Sequence, residues 1–279
     1  MNEQASIFIL ACFLLALLQS IYMAVEPWRL GKVIRIENET SSTRRFWIQI
    51  PELERFDFKP GQFVTLDLPI HEKPNKRWRS YSIASWPDGT NVIELVIVLL
   101  EGGAGTTYLF NEVTVGSELT LRGPAGVFTL PDPIEKDLFF ICTGTGIAPF
   151  RSMAHHILNH NLPHHNIYLI FGCRKFGDAL YPAELKDLMR RSPGFKYYTC
   201  YSREEPGNED HLIRTGYVHQ VFEEICNKNK IPADDGTDTM IVKPASFYLC
   251  GWKNMVDEAK QRILALGYDK KSIHQELYG

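Results

Sequence analysis

The run Gly144-Thr145-Gly146-Ile147-Ala148-Pro149-Phe150 stands between a continuous apolar stretch, Leu138 to Cys142, and a helix-like segment, Phe150 to Asn159. Residues 144 and 146 carry no Cβ, so the backbone can turn sharply and bring its N–H groups against an anion. Pro149 suits the first turn of the helix that follows. The N-terminus of that helix adds partial positive charge, and the chemistry offered is recognition of a pyrophosphate. A tight strand-to-helix turn made for packing alone would use the same residues, so other features must be weighed with it.

Four others bear on the choice. Arg79-Ser80-Tyr81-Ser82 offers a guanidinium for a diphosphate, a phenol to lie against an aromatic ring system, and a hydroxyl to reach a redox-active nitrogen. An exposed Arg and a core Tyr on an ordinary strand is the plainer reading. Gly102-Gly103-Ala104-Gly105-Thr106-Thr107 gives a second place where backbone N–H groups and a hydroxyl can meet phosphate oxygens, although a bare glycine cluster is usually a flexible loop. Tyr248-Leu249-Cys250-Gly251-Trp252 ends a strand on the sheet edge that carries the glycine turn, where open α/β folds bind ligands. Finally, Gln275-Glu276-Leu277-Tyr278-Gly279 puts a carboxyl and an aromatic ring where a frayed tail is otherwise expected. Taken together, these features indicate one unit for a flavin and another for a nicotinamide nucleotide.

The elements needed to position them are legible in outline. Between Gly31 and Gly126 apolar residues alternate, as in Lys32 to Ile36, Phe46 to Ile50 and Gln62 to Leu68. Further strands fit Arg79 to Ser85, Val92 to Leu100 and Glu118 to Arg122, with turns at Lys59-Pro60-Gly61 and Pro87-Asp88-Gly89. Six such strands close a small Greek-key barrel, with a short helix over Thr107 to Val113 at its mouth. After Pro131-Asp132-Pro133 strands and helices alternate. Strands are expected at Ile167 to Phe171, Phe195 to Tyr201 and Phe247 to Cys250, and helices at Pro182 to Arg191, Val218 to Asn227 and Lys253 to Leu266. This predicts a parallel sheet covered on both faces. Gly267 stands where the last helix needs a left-handed cap.

Composition narrows the classes. The 279 residues carry a formal charge of −3, so there is no basic excess to neutralise a nucleic-acid backbone. The six cysteines are scattered, with no C-x-x-C and no run resembling an iron–sulfur or zinc ligand set, and a reducing compartment is the simpler reading. Ala5 to Val25 carries no charge; about 21 residues at ~1.5 Å each would cross a ~30 Å hydrocarbon layer. Residues 1–26 are therefore expected as an apolar membrane anchor. Arg29, Lys32 and Arg35 keep the remainder on the cytoplasmic side. The alternative is a start at Met23. His155, His156, His160, His164 and His165 are read as a solvated face and not as metal ligands.

From about Trp28 to Gly279 the motifs and their order resemble the ferredoxin–NADP reductase superfamily. The resemblance implies an FAD-binding antiparallel β-barrel, residues 27–130, followed by a Rossmann-like NAD(P)-binding α/β domain, residues 131–279. It assigns flavin binding to Arg79, Ser80, Tyr81 and Ser82, with Val96, Ile97 and Val98 beside them. The phosphate clamp becomes Gly103, Ala104, Gly105 and Thr106, with Thr in place of Ser. The family's G-P-x-G stretch is Gly123 to Gly126. The nicotinamide side falls to Thr143, Gly144, Thr145, Gly146, Cys250 and Gly251. Plant-type members carry a C-G-L-K-x-M form similar to Cys250 to Met255 and end in E-x-Y, matched by Glu276 and Tyr278 with Gly279 beyond. The Tyr would stack on the flavin and the Glu would assist charge and proton handling.

The implied reaction moves a hydride between NADPH and FAD and single electrons between FAD and a ferredoxin- or flavodoxin-type carrier, with Ser82, Cys250, Glu276 and Tyr278 as catalytic residues. Ser202-Arg203 follows a strand where a hydroxyl and a guanidinium can hold a 2′-phosphate, helped by Arg174, Arg214 and Tyr217. Glu204-Glu205 follows at once and leaves NADH open. Alternatives are an NADH-dependent reductase component of an oxygenase, a membrane-anchored cytochrome reductase, and a flavin-binding relay without nicotinamide turnover.

Overall fold

The computed structural model describes residues 26–207, 210–233 and 239–278. The first unit holds β1 (Arg29–Asn38), β2 (Thr43–Gln49), β3 (Phe63–Asp67), β4 (Trp78–Ser82), β5 (Val92–Val98) and β6 (Glu118–Ala125), antiparallel in the order β4-β3-β6-β1-β2-β5. Alternation sends Val33, Phe46, Ile48, Val64, Leu66, Ile93, Leu95, Leu119 and Leu121 into one interior cluster. The chain after β4 changes partners: Ile83 N–H bonds Gln62 on the β3 side, and Ala84 N–H bonds the Glu94 carbonyl of β5. That switch closes the barrel and ends β4 at Ser82, short of the expected Ser85. Helix α1 (Ala104–Asn111) begins three residues earlier than expected, directly after Gly103, the first residue of the clamp.

The second unit runs β7 (Asp137–Thr143), α2 (Ala148–Asn159), β8 (Ile167–Cys173), α3 (Pro182–Arg191), β9 (Phe195–Tyr201), β10 (Ile213–Thr215), α4 (Val218–Lys228), a two-residue ribbon β11–β12 (Ile231–Pro232, Met240–Ile241), β13 (Ala245–Trp252), α5 (Lys253–Ala265) and β14 (Ile273–Tyr278). The main sheet is parallel in the order β10-β9-β8-β7-β13-β14. Because β7 is the first strand of this sheet in chain order and sits beside the late strand β13, the strand order reverses between them. That reversal is the switch point at which such sheets bind ligands. Gly267 takes φ +100° and donates to the Leu264 carbonyl, capping α5 as its sequence indicates.

Two apolar layers cover the sheet, one around Phe139, Ile170, Phe222 and Phe247, the other around Phe140, Phe150, Phe171 and Tyr248. The second layer continues into Ala84, Val96 and Phe128 of the barrel, so the two units share buried surface. The apolar run at residues 5–25 lies outside the described residues. Among the described residues no helix is long and apolar enough to cross a membrane.

Candidate active site

At the switch point the ends of β7 and β13 close on each other. A Cβ on Gly146 would lie 2.4 Å from the Cys250 carbonyl oxygen, and one on Gly251, whose φ is +142°, would lie 2.4 Å from Thr143 Oγ1. Neither position admits a side chain without moving backbone. Gly144 takes φ +54° and has nothing within 4 Å of where a Cβ would sit, so the turn opens onto free space above the start of α2. Thr143, Gly144, Thr145 and Gly146 thus form a concave turn leading into a helix N-terminus, which suits a diphosphate.

A second anion-binding place lies on the barrel. Gly105 has no Cβ where one would meet Arg79 Cγ at 3.0 Å, and so Arg79 lies against the first turn of α1. Its Nη1 donates to the Lys76 and Trp78 carbonyls, and among the described residues it has no carboxylate partner. Gly103 caps α1 without a side-chain acceptor, leaving the N–H groups of the first turn, from Ala104 on, for a ligand. The Thr106 hydroxyl bonds Leu100 N–H and the Gly103 carbonyl, so it closes the loop upon itself. Beside Arg79, burial pushes the half-buried Tyr81 phenol up to about 12 against the opposing pull of that guanidinium. Ser80 Oγ is bonded to Thr65.

Among the described residues strand β5 pairs only with β2, and its other edge faces β4. Glu94 uses that edge, with its N–H on Ser85 Oγ and its carbonyl accepting from Ala84. The two-residue alternation of an antiparallel pair turns the backbone groups of Val96 and Val98 to the same edge. The side chains of Val96 and Ile97 are buried in apolar clusters, which leaves backbone for a ligand on this strand. A cationic side chain at a helix N-terminus, a phenol and an open strand edge match the phosphates, ring and polar ring edge of FAD.

Between the two places the C-terminal strand returns to the barrel. Register sets Glu276 beside Cys250 and Tyr278 beside Trp252. The Tyr278 hydroxyl donates to Ser82 Oγ at 2.8 Å, and Ser82 Oγ donates to Glu276 Oε2 at 2.7 Å. Burial raises the Glu276 carboxyl, with the Ser82 bond opposing it. Burial and then Glu276 drive the Cys250 thiol well up, so it stays protonated. Tyr278, expected to stack on a flavin ring, points its hydroxyl at Ser82 and packs against the shared apolar layer.

The residues expected around a 2′-phosphate are partly gathered. Ser202 N–H bonds the Cys173 carbonyl and Arg203 N–H bonds the Arg174 carbonyl, bringing Arg174, Ser202 and Arg203 together at the ends of β8 and β9. Glu204 turns its carboxylate onto Phe176 N–H. Tyr217 is exposed at the start of α4, whereas Arg214 is turned to Glu224 at 3.2 Å.

One cluster was not anticipated. Glu94, 3% exposed, accepts from Arg45, Arg151 and Tyr181, and Arg151 also grips Glu184 through two bonds. His155 is buried, bonded to Glu184 at 2.6 Å and stacked on Trp86 at 4.0 Å, which corrects its reading as part of a solvated face. Burial pushes Glu184 up, but its bonds from His155 and Arg151 outweigh that and hold it at about 2. The only signal in the sequence is a lone acid inside the apolar strand Val92 to Val98 and a lone Arg inside the apolar face of α2.

Comparison with known proteins agrees with this geometry. Residues 30–130 match the oxidoreductase FAD-binding domain model and residues 140–261 the oxidoreductase NAD-binding domain model. Ferredoxin–NADP reductase B of Sorangium cellulosum is 33% identical over 258 residues, which cover 91% of this chain and 98% of that protein. The glycine betaine monooxygenase reductase subunit of Chromohalobacter salexigens is 25% identical, covering 92% and 67%. Among solved structures, the Amycolatopsis cytochrome P450 reductase GcoB superposes with a TM-score of 0.75 at 26% identity, over 90% of this chain and 70% of that one. A Neisseria gonorrhoeae ferredoxin NADP+ reductase superposes at 0.72 and 24% identity, over 90% and 98%. The chain belongs to the ferredoxin–NADP reductase superfamily, and is an FAD-dependent NAD(P)H oxidoreductase that passes electrons to a carrier.

Proposed function

We propose that the chain oxidises NADPH in preference to NADH and delivers single electrons to a ferredoxin- or flavodoxin-type protein. Bound FAD supplies the exchange between paired and single electrons that a nicotinamide cannot perform. The chain's own residues bind, orient and handle protons. Arg79 and the first turn of α1 hold the flavin diphosphate, and Tyr81 flanks its ring. The turn at Gly144 and Gly146 would hold the nicotinamide diphosphate, with Cys250 and Gly251 on the nicotinamide side of the site. Glu276, with its carboxyl raised, and Ser82 form a route by which a proton can reach or leave the reacting face.

The observation that carries this reading is the Tyr278–Ser82–Glu276 chain of hydrogen bonds, which joins the flavin strand to the nicotinamide sheet beside Cys250. NADPH preference is supported by Arg174, Ser202 and Arg203 at one corner, with Glu204 occupied elsewhere. Similarity to oxygenase reductase subunits favours a second reading, in which the acceptor is an oxygenase component. The uncharged run at residues 5–25 would tether either form to a membrane. Anaerobic titration of FAD-loaded protein with each nicotinamide, followed by reoxidation with ferredoxin, flavodoxin or an oxygenase, tests all of these. Equal efficiency with NADH removes the NADPH preference, and indifference to small carriers removes the proposed acceptor.

A further inference from the structure

We infer that Arg151 is a positioning residue: by clamping the barrel to the first turn of α2 it sets the spacing of the two cofactor-binding units. This rests on the reading above, in which α2 follows the nicotinamide turn and β4 and β5 hold the flavin. Arg151 is 3% exposed and sits three residues into α2, whose start is continuous with the Gly144–Ile147 turn. Its Nη1 donates to the Ala84 carbonyl at 2.8 Å and to Glu94 Oε2 at 3.0 Å. Ala84 lies two residues beyond Ser82, and Glu94 two residues before Val96. One guanidinium therefore contacts both the segment that follows β4 and the third residue of β5, the two strands assigned to the flavin.

The other edge of Arg151 grips Glu184 of α3, with Nε to Oε1 at 2.7 Å and Nη2 to Oε2 at 3.0 Å. Its plane lies over Tyr181 and Trp86, with the carbon at 4.4 and 5.3 Å from the ring centres. Tyr181 adds a bond from its hydroxyl to Glu94 at 2.8 Å, and its N–H is held by Glu39 of the barrel at 2.7 Å. Its φ of +52° is one a side chain rarely adopts, so the bonds around it fix a conformation it would otherwise leave. Adhesion between the units is available from the apolar layer through Ala84, Val96 and Phe128 and is non-directional. A buried ionic cluster generally gives no more stability than apolar residues of the same volume. What it adds here is direction, because a planar fork admits a narrow range of angles.

The test compares the FAD-loaded wild type with Arg151→Met and Arg151→Lys. FAD content, thermal unfolding, the NADP+ dissociation constant, small-angle scattering and the anaerobic rate of flavin reduction are all measured. Arg151→Met is expected to keep its FAD and bind NADP+ within about twofold of wild type, while its flavin is reduced about 100-fold more slowly, as for a misplacement near 1 Å. Its scattering curve should report a looser arrangement of the units, with Arg151→Lys between the two. Should Arg151→Met not fold, Arg151→Lys carries the comparison. Wild-type rates in the variants overturn the inference, as does a slowing matched by equal loss of FAD or NADP+ binding. Failure of the wild type itself to be reduced would instead overturn the functional reading.

Discussion

Ser82 and Glu276 are 194 residues apart in the chain and 2.7 Å apart in the structure. One ends a barrel strand and the other lies on the last strand of the parallel sheet, so their hydrogen bond is a direct link between the two units at the switch point. The Tyr278 hydroxyl completes the link from the same strand. Residues from both units thus meet at one place, where the proposed reaction would bring the two cofactors together.

Ser82→Ala removes the middle of that chain while leaving the β4 backbone intact. Reduction of bound FAD by NADPH is expected to slow by about 100-fold, the low end for loss of a proton-handling group. FAD content should not change. Stopped-flow absorbance on the reconstituted variant checks this, and an unchanged rate would remove Ser82 from the reaction.

Gly146→Ala pushes a methyl into the Cys250 carbonyl, which lies 2.4 Å from the position it would take. Backbone on both strands has to move, at a cost of about 1–3 kcal/mol. Lower thermal stability together with weaker NADP+ binding is expected, with FAD retained on the barrel. Calorimetry and a nucleotide titration read the two effects separately.

Glu184 and Glu276 predict opposite limbs of the pH–stability curve. Glu184 is held at about 2 from a reference of 4.5, so the stability it contributes is present above 4.5 and is lost as pH falls towards 2. Glu276 is raised from 4.5, so its contribution is present below that value and is lost as pH rises through its folded-state value. Denaturant unfolding across pH should flatten on the acid side in Glu184→Gln and above pH 4.5 in Glu276→Gln.

Arg203→Ala should weaken NADPH more than NADH, because a charge-assisted bond to a phosphate is lost only with the former. A bond of about 1.5–3 kcal/mol corresponds to roughly a 10- to 100-fold fall in the ratio of the two kcat/KM values. A ratio that does not move would place the 2′-phosphate elsewhere.

How much of this was legible depended on whether a residue's role is local. Gly144 and Gly146 announce themselves, since a sharp turn into a helix needs residues without Cβ and Pro149 marks the helix start. The alternating barrel strands were readable for the same reason. Residues 273–278 were read as a chemical tail and not as a strand, because β14 is an edge strand with His274, Gln275 and Leu277 exposed, which hides any period-two pattern. The direction of Tyr278 was not readable either: the sequence supplies a ring and a hydroxyl, but Ser82 decides where they point. Arg151 and Glu94 were missed because each is a single charge in an apolar run, and the partner that explains it lies 57 residues away.

The central claim is that the cleft between barrel and sheet brings FAD and a nicotinamide within reach of each other. Anaerobic mixing of the FAD-loaded protein with NADPH tests it most directly. Rapid bleaching of the yellow flavin, followed by recovery of colour on addition of an oxidised carrier, is the predicted result. A flavin that stays bound and yellow in excess NADPH and NADH would contradict it.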